Sequence, residues 1–213
     1  EVKAPLAAIR GAAELLGEDM AAGPRQKFLG NIRSEAARIQ QIVDRLLELS
    51  SLEARKTLEQ TERLEASALL GDAAAALRPA FEAAGVALVV EGGAGVWLRG
   101  ERVLLREALV NLLQNALEFT PAGGRVAARA ETAPGRAEFA VEDTGPGVPD
   151  FAVGRVFERF YSLPRPGSNR KSTGLGLSLV REIAHLHGGE AALANRSAGG
   201  ARATLWVPRE SGV

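Results

Sequence analysis

Near the start of the chain, apolar residues recur at spacings of three and four, with one gap of seven. Leu6, Ile9, Ala13, Leu16 and Met20 form one series, and Ile32, Ile39, Ile42, Leu46 and Leu49 form a second. That period gathers each series into one stripe on a helix, with a heptad-like seam. Gly23-Pro24 interrupts the pattern between them. Residues 1 to about 57 therefore predict a helical hairpin. A helix with a single apolar stripe buries little surface in a pair, so a dimer forming a four-helix bundle is the expected completion. A two-helix appendage folded on the rest of the chain is the alternative.

Around residues 57 to 63 the apolar period is lost and charge rises, which sets the expected boundary between domains 1–57 and 58–213. Beyond it strands and helices alternate. Ser67 is the expected cap of a helix running to about Ala84. Val86 to Glu91 and Val96 to Leu98 predict strands about the Gly92-Gly93-Ala94-Gly95 turn. A helix from about Glu101 to Phe119 stops at Thr120-Pro121. Strands follow near Arg125 to Glu131 and Arg136 to Asp143. The stretch from Tyr161 to Thr173, rich in Pro, Gly, Ser and basic residues, predicts a long loop. A helix over 175 to 187 ends at Gly188-Gly189, before strands at Glu190 to Asn195 and Ala201 to Pro208. The fold class is α+β: a helical hairpin, then a two-layer α/β sandwich with helices on one face.

Composition narrows the function classes. The 213 residues are 46% hydrophobic and 24% charged, with formal net charge +0. Charge balance gives no bulk attraction to nucleic acid or an anionic membrane, so no nucleic-acid partner is expected. Zero Cys removes disulfides and thiol ligation, and fits a reducing compartment. No run reaches the roughly 18 apolar residues of a membrane span, and no signal peptide is visible. Glu1 opens inside a helical pattern without a Met, so the chain is expected to be a fragment of a longer protein.

Four segments carry candidate chemistry. Asn111 and Asn115 share a helix face, with Glu107 one turn earlier on the same face. Amide oxygens suit Mg²⁺, which completes its octahedron with phosphate oxygens and water. An ordinary polar helix face would look the same. Asp143 follows the apolar Phe139-Ala140-Val141 and precedes Gly145 and Gly147. Its carboxylate only accepts hydrogen bonds, and so could read the exocyclic amine of adenine; a plain Asp-Thr-Gly turn is the alternative. Lys171-Ser172-Thr173-Gly174-Leu175-Gly176-Leu177 leads into a helix whose free amides favour phosphate, although P-loop spacing is absent. Arg165, Arg170 and Lys171 could fold over a triphosphate as a lid, or stand as solvated bases. Phe157 to Tyr161 precedes that loop, its aromatics expected beneath it. Arg159 could reach a terminal phosphate.

Together these segments resemble the catalytic part of bacterial sensor histidine kinases, over essentially the whole chain. Asn111 to Asn115 matches the family's asparagine box and Asp143 to Gly147 its first glycine box. Phe157 to Phe160 matches the phenylalanine box, Gly174 to Leu177 the second glycine box, and Gly199-Gly200 the weaker third. Phe157 to Arg165, with Phe119-Thr120-Pro121, is similar in particular to CreC-type sensor kinases. Glu1 to Gly11 resembles the segment just after the phosphoacceptor His. The resemblance implies a homodimer and the ATP-binding fold shared with gyrase and Hsp90. It implies that the chain binds ATP and Mg²⁺, and that the γ-phosphate passes to a His and then to an Asp of a response regulator receiver domain. It also implies the cytoplasmic portion of a bacterial inner-membrane protein, attached only through segments upstream of this sequence. Asn111 and Asn115 would hold the metal. Phe119, Asp143, Gly145, Gly147, Arg165, Lys171, Thr173, Gly174, Leu175, Gly176 and Leu177 would bind the nucleotide. Glu1 and Arg159 would be catalytic, Glu1 as the base beside the acceptor.

Departures from the family pattern qualify this. The acceptor His would precede Glu1, and only His185 and His187 occur, at i and i+2 near a helix end. The chain as given is therefore expected to bind nucleotide without an acceptor of its own. Ala4 replaces a Thr or Asn that positions water, which puts phosphatase action in doubt. Pro5 is expected to bend the first helix. Glu118 replaces a Lys common after the second Asn, so lid cations or Arg159 would have to take its place at phosphate. Two other classes compete. An ATPase of the same superfamily uses a Glu four residues before the metal-binding Asn, but Asn111 stands there. A non-catalytic nucleotide scaffold is the third class.

Overall fold

The computed structural model describes residues 3–16, 20–93, 95–165 and 172–210. The expectations for Glu1, Arg170 and Lys171 lie outside the described residues. The chain divides into two compact units, Glu1–Ser51 and Leu52–Val213.

The first unit contains α1 (Lys3–Glu14) and most of α2 (Ala22–Ala54). Met20, counted in the first apolar series, lies outside α1. Gly23-Pro24 does not separate the helices but lies in the first turn of α2. Proline is tolerated there because a first-turn residue has no intrahelical acceptor for its N–H. Ile42 and Leu49 of the second series are buried, while Leu6, Leu15, Leu29, Val43 and Leu47 are exposed.

The second unit runs through β1 (Glu62–Glu65), α3 (Ala66–Ala84), β2 (Ala87–Gly92), β3 (Trp97–Gly100), α4 (Arg102–Phe119), β4 (Arg125–Ala133) and β5 (Arg136–Asp143). It continues with α5 (Asp150–Val153), α6 (Gly176–Leu186), β6 (Glu190–Asn195) and β7 (Ala201–Pro208). The structure corrects or adds to three expectations. The charged stretch assigned to the domain boundary ends in a strand, β1, which pairs antiparallel with β3. Only Leu64 of its four residues is buried, too little to show as alternation. The strands flanking Gly92 to Gly95 form where expected but belong to different sheets. The cap of α3 is Glu65, whose carboxylate accepts the Ala68 N–H at 2.6 Å, while Ser67 Oγ donates to the Gly93 carbonyl at 2.7 Å.

The main sheet has the order β2-β4-β5-β7-β6, with β2 and β4 parallel and the other pairs antiparallel. Residues alternate across it. Val126, Ala128, Ala130, Phe139, Val141, Ala203, Leu205 and Val207 are buried with the apolar faces of α3, α4 and α6. On the other face Arg129, Arg196 and Arg202 interleave with Glu131, Glu138 and Glu142 in ion pairs across β4, β5 and β7. The result is the expected two-layer sandwich.

Candidate functional site

On α4, Leu105, Ala108, Leu109, Leu112, Leu113 and Ala116 are buried. Asn111, Asn115 and Glu118 fall on a half-buried stripe beside them, at i, i+4 and i+7. Asn111 Nδ2 donates to the Glu107 carbonyl at 2.9 Å, which orients the amide and turns Oδ1 away from that bond. The start of α6 lies against it: a Cβ added at Gly176 would stand 3.0 Å from Asn111 Oδ1. Leu175, the N-cap residue of α6, is buried and makes no side-chain capping bond, so the first-turn amides of this 11-residue helix lack a side-chain acceptor at the cap. Leu177 and Thr173 are half-buried beside it.

Asp143 ends β5 and is buried. Its Oδ1 accepts the Gly145 N–H at 2.8 Å and the Ala201 N–H at 3.2 Å. Burial raises its pKa above the usual carboxylate value, outweighing those two bonds and the pull of Arg196. The following turn passes so close to the end of α4 that a side chain at Gly145 would collide with the Phe119 carbonyl. Sequence reasoning missed the residues that hold this turn. Asn195 clamps Val148 from both sides, accepting its N–H and donating to its carbonyl, each at 2.7 Å. Arg196 donates to the Asp143 carbonyl at 2.9 Å. The Gly199-Gly200 pair was the only visible signal for this support; both residues have positive φ, and Gly200 lies against Asp143. Gly147, at φ 76°, borders Asn195.

The loop between β5 and α6 is pinched at its base. The Phe160 N–H donates to the Gly174 carbonyl at 2.9 Å. Gly174 has φ 67°, and a Cβ there would stand 2.5 Å from the Phe160 carbonyl carbon. Phe160 itself adopts φ 62°, an uncommon conformation for a residue with a side chain. Phe157 is half-buried, but Phe160 is exposed rather than packed beneath the loop. Arg165 pairs with Glu118 at 2.7 Å, and Arg159 pairs with Glu53. Asn111, Phe119, Asp143, Gly145, Arg165, Gly174 and Gly176 are thus joined through neighbouring elements, whereas Arg159 is engaged elsewhere.

His187 is buried and structural. Its Nε2 accepts the Glu101 N–H at 3.1 Å and its Nδ1 donates to the Ile183 carbonyl at 2.7 Å. Burial holds its pKa below the usual imidazole value, against the pull of Ile183 and Glu101. Glu101 in turn accepts from Arg55 and from the Glu59 N–H, both at 2.5 Å. Burial opposes its ionisation, but Arg55 and the amides of Glu59 and Gln60 outweigh that and lower its pKa.

Among the described residues, no group of three or more His, Cys, Asp or Glu could hold a metal. Asn111 and Asn115 offer a cation neutral amide oxygens, leaving the rest of its shell to the ligand's oxygens and water. Two amides on one helix face, with Asn111 Oδ1 beside an uncapped helix start, fit Mg²⁺ of that kind. No helix among the described residues is long and apolar enough to cross a membrane.

Residues 100–211 match the family described as histidine kinase-, DNA gyrase B- and HSP90-like ATPase, and residues 1–55 match the His Kinase A (phospho-acceptor) domain. The chain is 41% identical over 215 residues to the sensor protein CreC of Escherichia coli (strain K12), covering 98% of this chain and 44% of that protein. It is 34% identical over 209 residues to the sensor protein QseC of Salmonella typhi, covering 96% of this chain and 45% of that protein. The chain therefore spans less than half the length of these curated relatives. Among solved structures, histidine kinase ThkA in complex with response regulator protein TrrA matches with TM-score 0.79 and 22% identity, covering 98% of this chain and 59% of that one. Full-length ShkA in complex with AMPPNP matches with TM-score 0.74 and 24% identity, covering 99% and 44%. These two structural likenesses show the shared fold.

Proposed function

This chain belongs to the histidine kinase-, DNA gyrase B- and HSP90-like ATPases, as a sensor histidine kinase core similar to CreC, and from that membership we propose that it binds Mg²⁺-ATP and phosphorylates a histidine. The carrying observation is the meeting of three chain segments: Asn111 Oδ1 beside Gly176, and the Phe119 carbonyl beside Gly145. A helix face with amide oxygens, a buried carboxylate and an uncapped helix start are thereby joined at one site.

Asp143 accepts the adenine amine, its carboxylate aimed by Gly145 and Ala201 and shielded from water. The first-turn amides of α6 take phosphate oxygens. Asn111 and Asn115 hold Mg²⁺, which when bound neutralises charge on the phosphates. Thr173, Leu175 and Leu177 border the phosphates, and Arg165 and Lys171 cover them. The acceptor is a His immediately before Glu1. A bond forms from an imidazole nitrogen to the γ-phosphorus, the bond to the β,γ-bridging oxygen breaks, ADP leaves, and Glu1 takes the imidazole proton. Arg159, released from Glu53, stabilises the transferring group. The phosphoryl group then moves to an Asp of a response regulator receiver domain, as the pairing of ThkA with TrrA suggests. Residues 1–57 present the acceptor and residues 58–213 the nucleotide. The exposed Leu6, Leu15, Leu29 and Leu47 are covered in a homodimer. The parent protein is anchored in the inner membrane by segments upstream of this sequence, with this part in the cytoplasm.

The test places a His, with its native preceding helix, before Glu1 and incubates it with Mg²⁺ and γ-labelled ATP beside the present chain. Acid-labile, base-stable label on the extended protein alone is expected. Nucleotide turnover without label would favour a superfamily ATPase, and binding with neither would favour a scaffold.

A further inference from the structure

The polar stripe of α4 does not end at its two asparagines. Glu118 continues it, and its carboxylate is paired at 2.7 Å with Arg165, from the loop that leads to Gly174. We infer that Glu118 is a positioning residue: it holds the Arg165 guanidinium against the asparagine face, where that cation reads the nucleotide's phosphates. The inference rests on the nucleotide-site reading above and assigns this face a two-residue device in place of a single lysine.

Several observations carry it. Glu118 and Arg165 are both half-buried, so their charge-assisted bond is poorly screened. Gln114 Nε2 approaches Glu118 Oε1 at 3.5 Å from the preceding turn, which limits the carboxylate's rotamers. A half-buried carboxylate on this stripe would repel a triphosphate if it stood alone. Burial already pushes its pKa up, against Arg165 and Gln114, so the site depends on the partner cation. Arg165 is also incompletely satisfied. One edge of its guanidinium is taken by Glu118, while its Nε is buried with no acceptor among the described residues. A buried unpaired donor is destabilising, and an anionic oxygen removes that cost. Arg159 and Arg155, the other described cations near the loop, are occupied by Glu53 and by Glu158 and the Tyr161 ring. Arg165 is therefore the described loop cation that is tied to α4 and still has a donor to give.

The test measures binding of AMPPNP and of adenosine, with Mg²⁺, to the full chain and to E118Q, R165Q, the double variant and E118D. E118Q keeps the size of the side chain and one acceptor oxygen, and removes the charge and the second acceptor. E118Q and R165Q are each expected to weaken AMPPNP binding about tenfold, the worth of one charge-assisted bond, and to leave adenosine binding unchanged. The double variant should be no weaker than R165Q, and E118D should recover part of the loss. Unchanged or tighter AMPPNP binding by E118Q, additive losses in the double variant, or an equal loss of adenosine binding would each overturn the inference. If the unaltered chain binds neither compound, the nucleotide-site reading falls and this inference falls with it. If the unaltered chain binds both and D143N loses both, that reading stands whatever E118Q does.

Discussion

The backbone N–H of Glu101 donates to His187 Nε2 across 3.1 Å, joining the start of α4 to the end of α6. The bond requires a neutral imidazole, because Nδ1 is already committed to the Ile183 carbonyl. Gly100 makes the approach possible: a Cβ there would stand 2.7 Å from His187 Cδ2. The groups facing the ring are Glu101 and its partner Arg55, the Ile183 carbonyl, and the backbone at Gly100.

This arrangement sets a pH dependence. The folded-state pKa of His187 is depressed below its unfolded value of 6.5, so between the two values the unfolded chain binds more protons. Stability should be flat with respect to this group above pH 6.5 and fall as pH drops from there to the folded pKa. Urea denaturation at stepped pH should show that slope, and H187Q should remove it while lowering the plateau. Glu101 works at lower pH: its pKa is depressed from 4.5, and its contribution is lost as pH falls through its folded value.

D143N should keep the fold and lose the base. An Asn oxygen can still accept from Gly145 and Ala201, but its amide NH₂ faces the adenine amine donor to donor. Adenosine affinity should fall about tenfold or more, with an unchanged melting temperature. Equal affinity in an equilibrium titration would remove Asp143 from base recognition.

G174A should damage the loop base. The added Cβ meets Phe160 backbone and requires φ near 67°, a combined cost of about 1–3 kcal/mol. Nucleotide affinity should drop with stability. G154A is the control: nothing lies within 4 Å of its Cβ and its φ is −71°, so its effect should stay within about 0.5 kcal/mol.

N195A deletes both bonds to Val148. They are exposed, so the loss in stability should be near 1 kcal/mol. The turn that carries Gly145 and Gly147 would lose its clamp, and amide exchange at Val148 should quicken. Unchanged exchange there would mean the turn is held by Arg196 and Gly200 alone.

How much of this was legible depended on range. The ends of β6 and β7 followed from the glycine pair at 188–189 and the alternation after it, and α4 ended at Thr120 as Thr-Pro predicts. Local patterns do not say which strands meet. Gly92 to Gly95 mark a turn between two strands, but not their partners: β2 pairs with β4 and β3 with β1. β1 went unseen because four residues with one buried leucine carry no period. At the site, Asn111, Asp143 and Gly174 stood out because their chemistry is written in short motifs. Their supports were silent: Asn195 lies 47 residues from Val148 and Arg196 lies 53 from Asp143. Glu118 was visible only as a missing lysine, since its partner belongs to another motif.

The single backbone bond between Phe160 and Gly174 has a further consequence for how this protein can change. That bond fastens the start of α6 beside Phe160, whatever length of chain runs between the two residues. Closing a longer loop costs only about 0.6 kcal/mol per doubling of length. For the fold alone, a change of length between residues 161 and 173 should therefore cost less than a single methyl group at Gly174. What lies between the two is a matter for the nucleotide contacts, and the join at Gly174 is a matter for the frame.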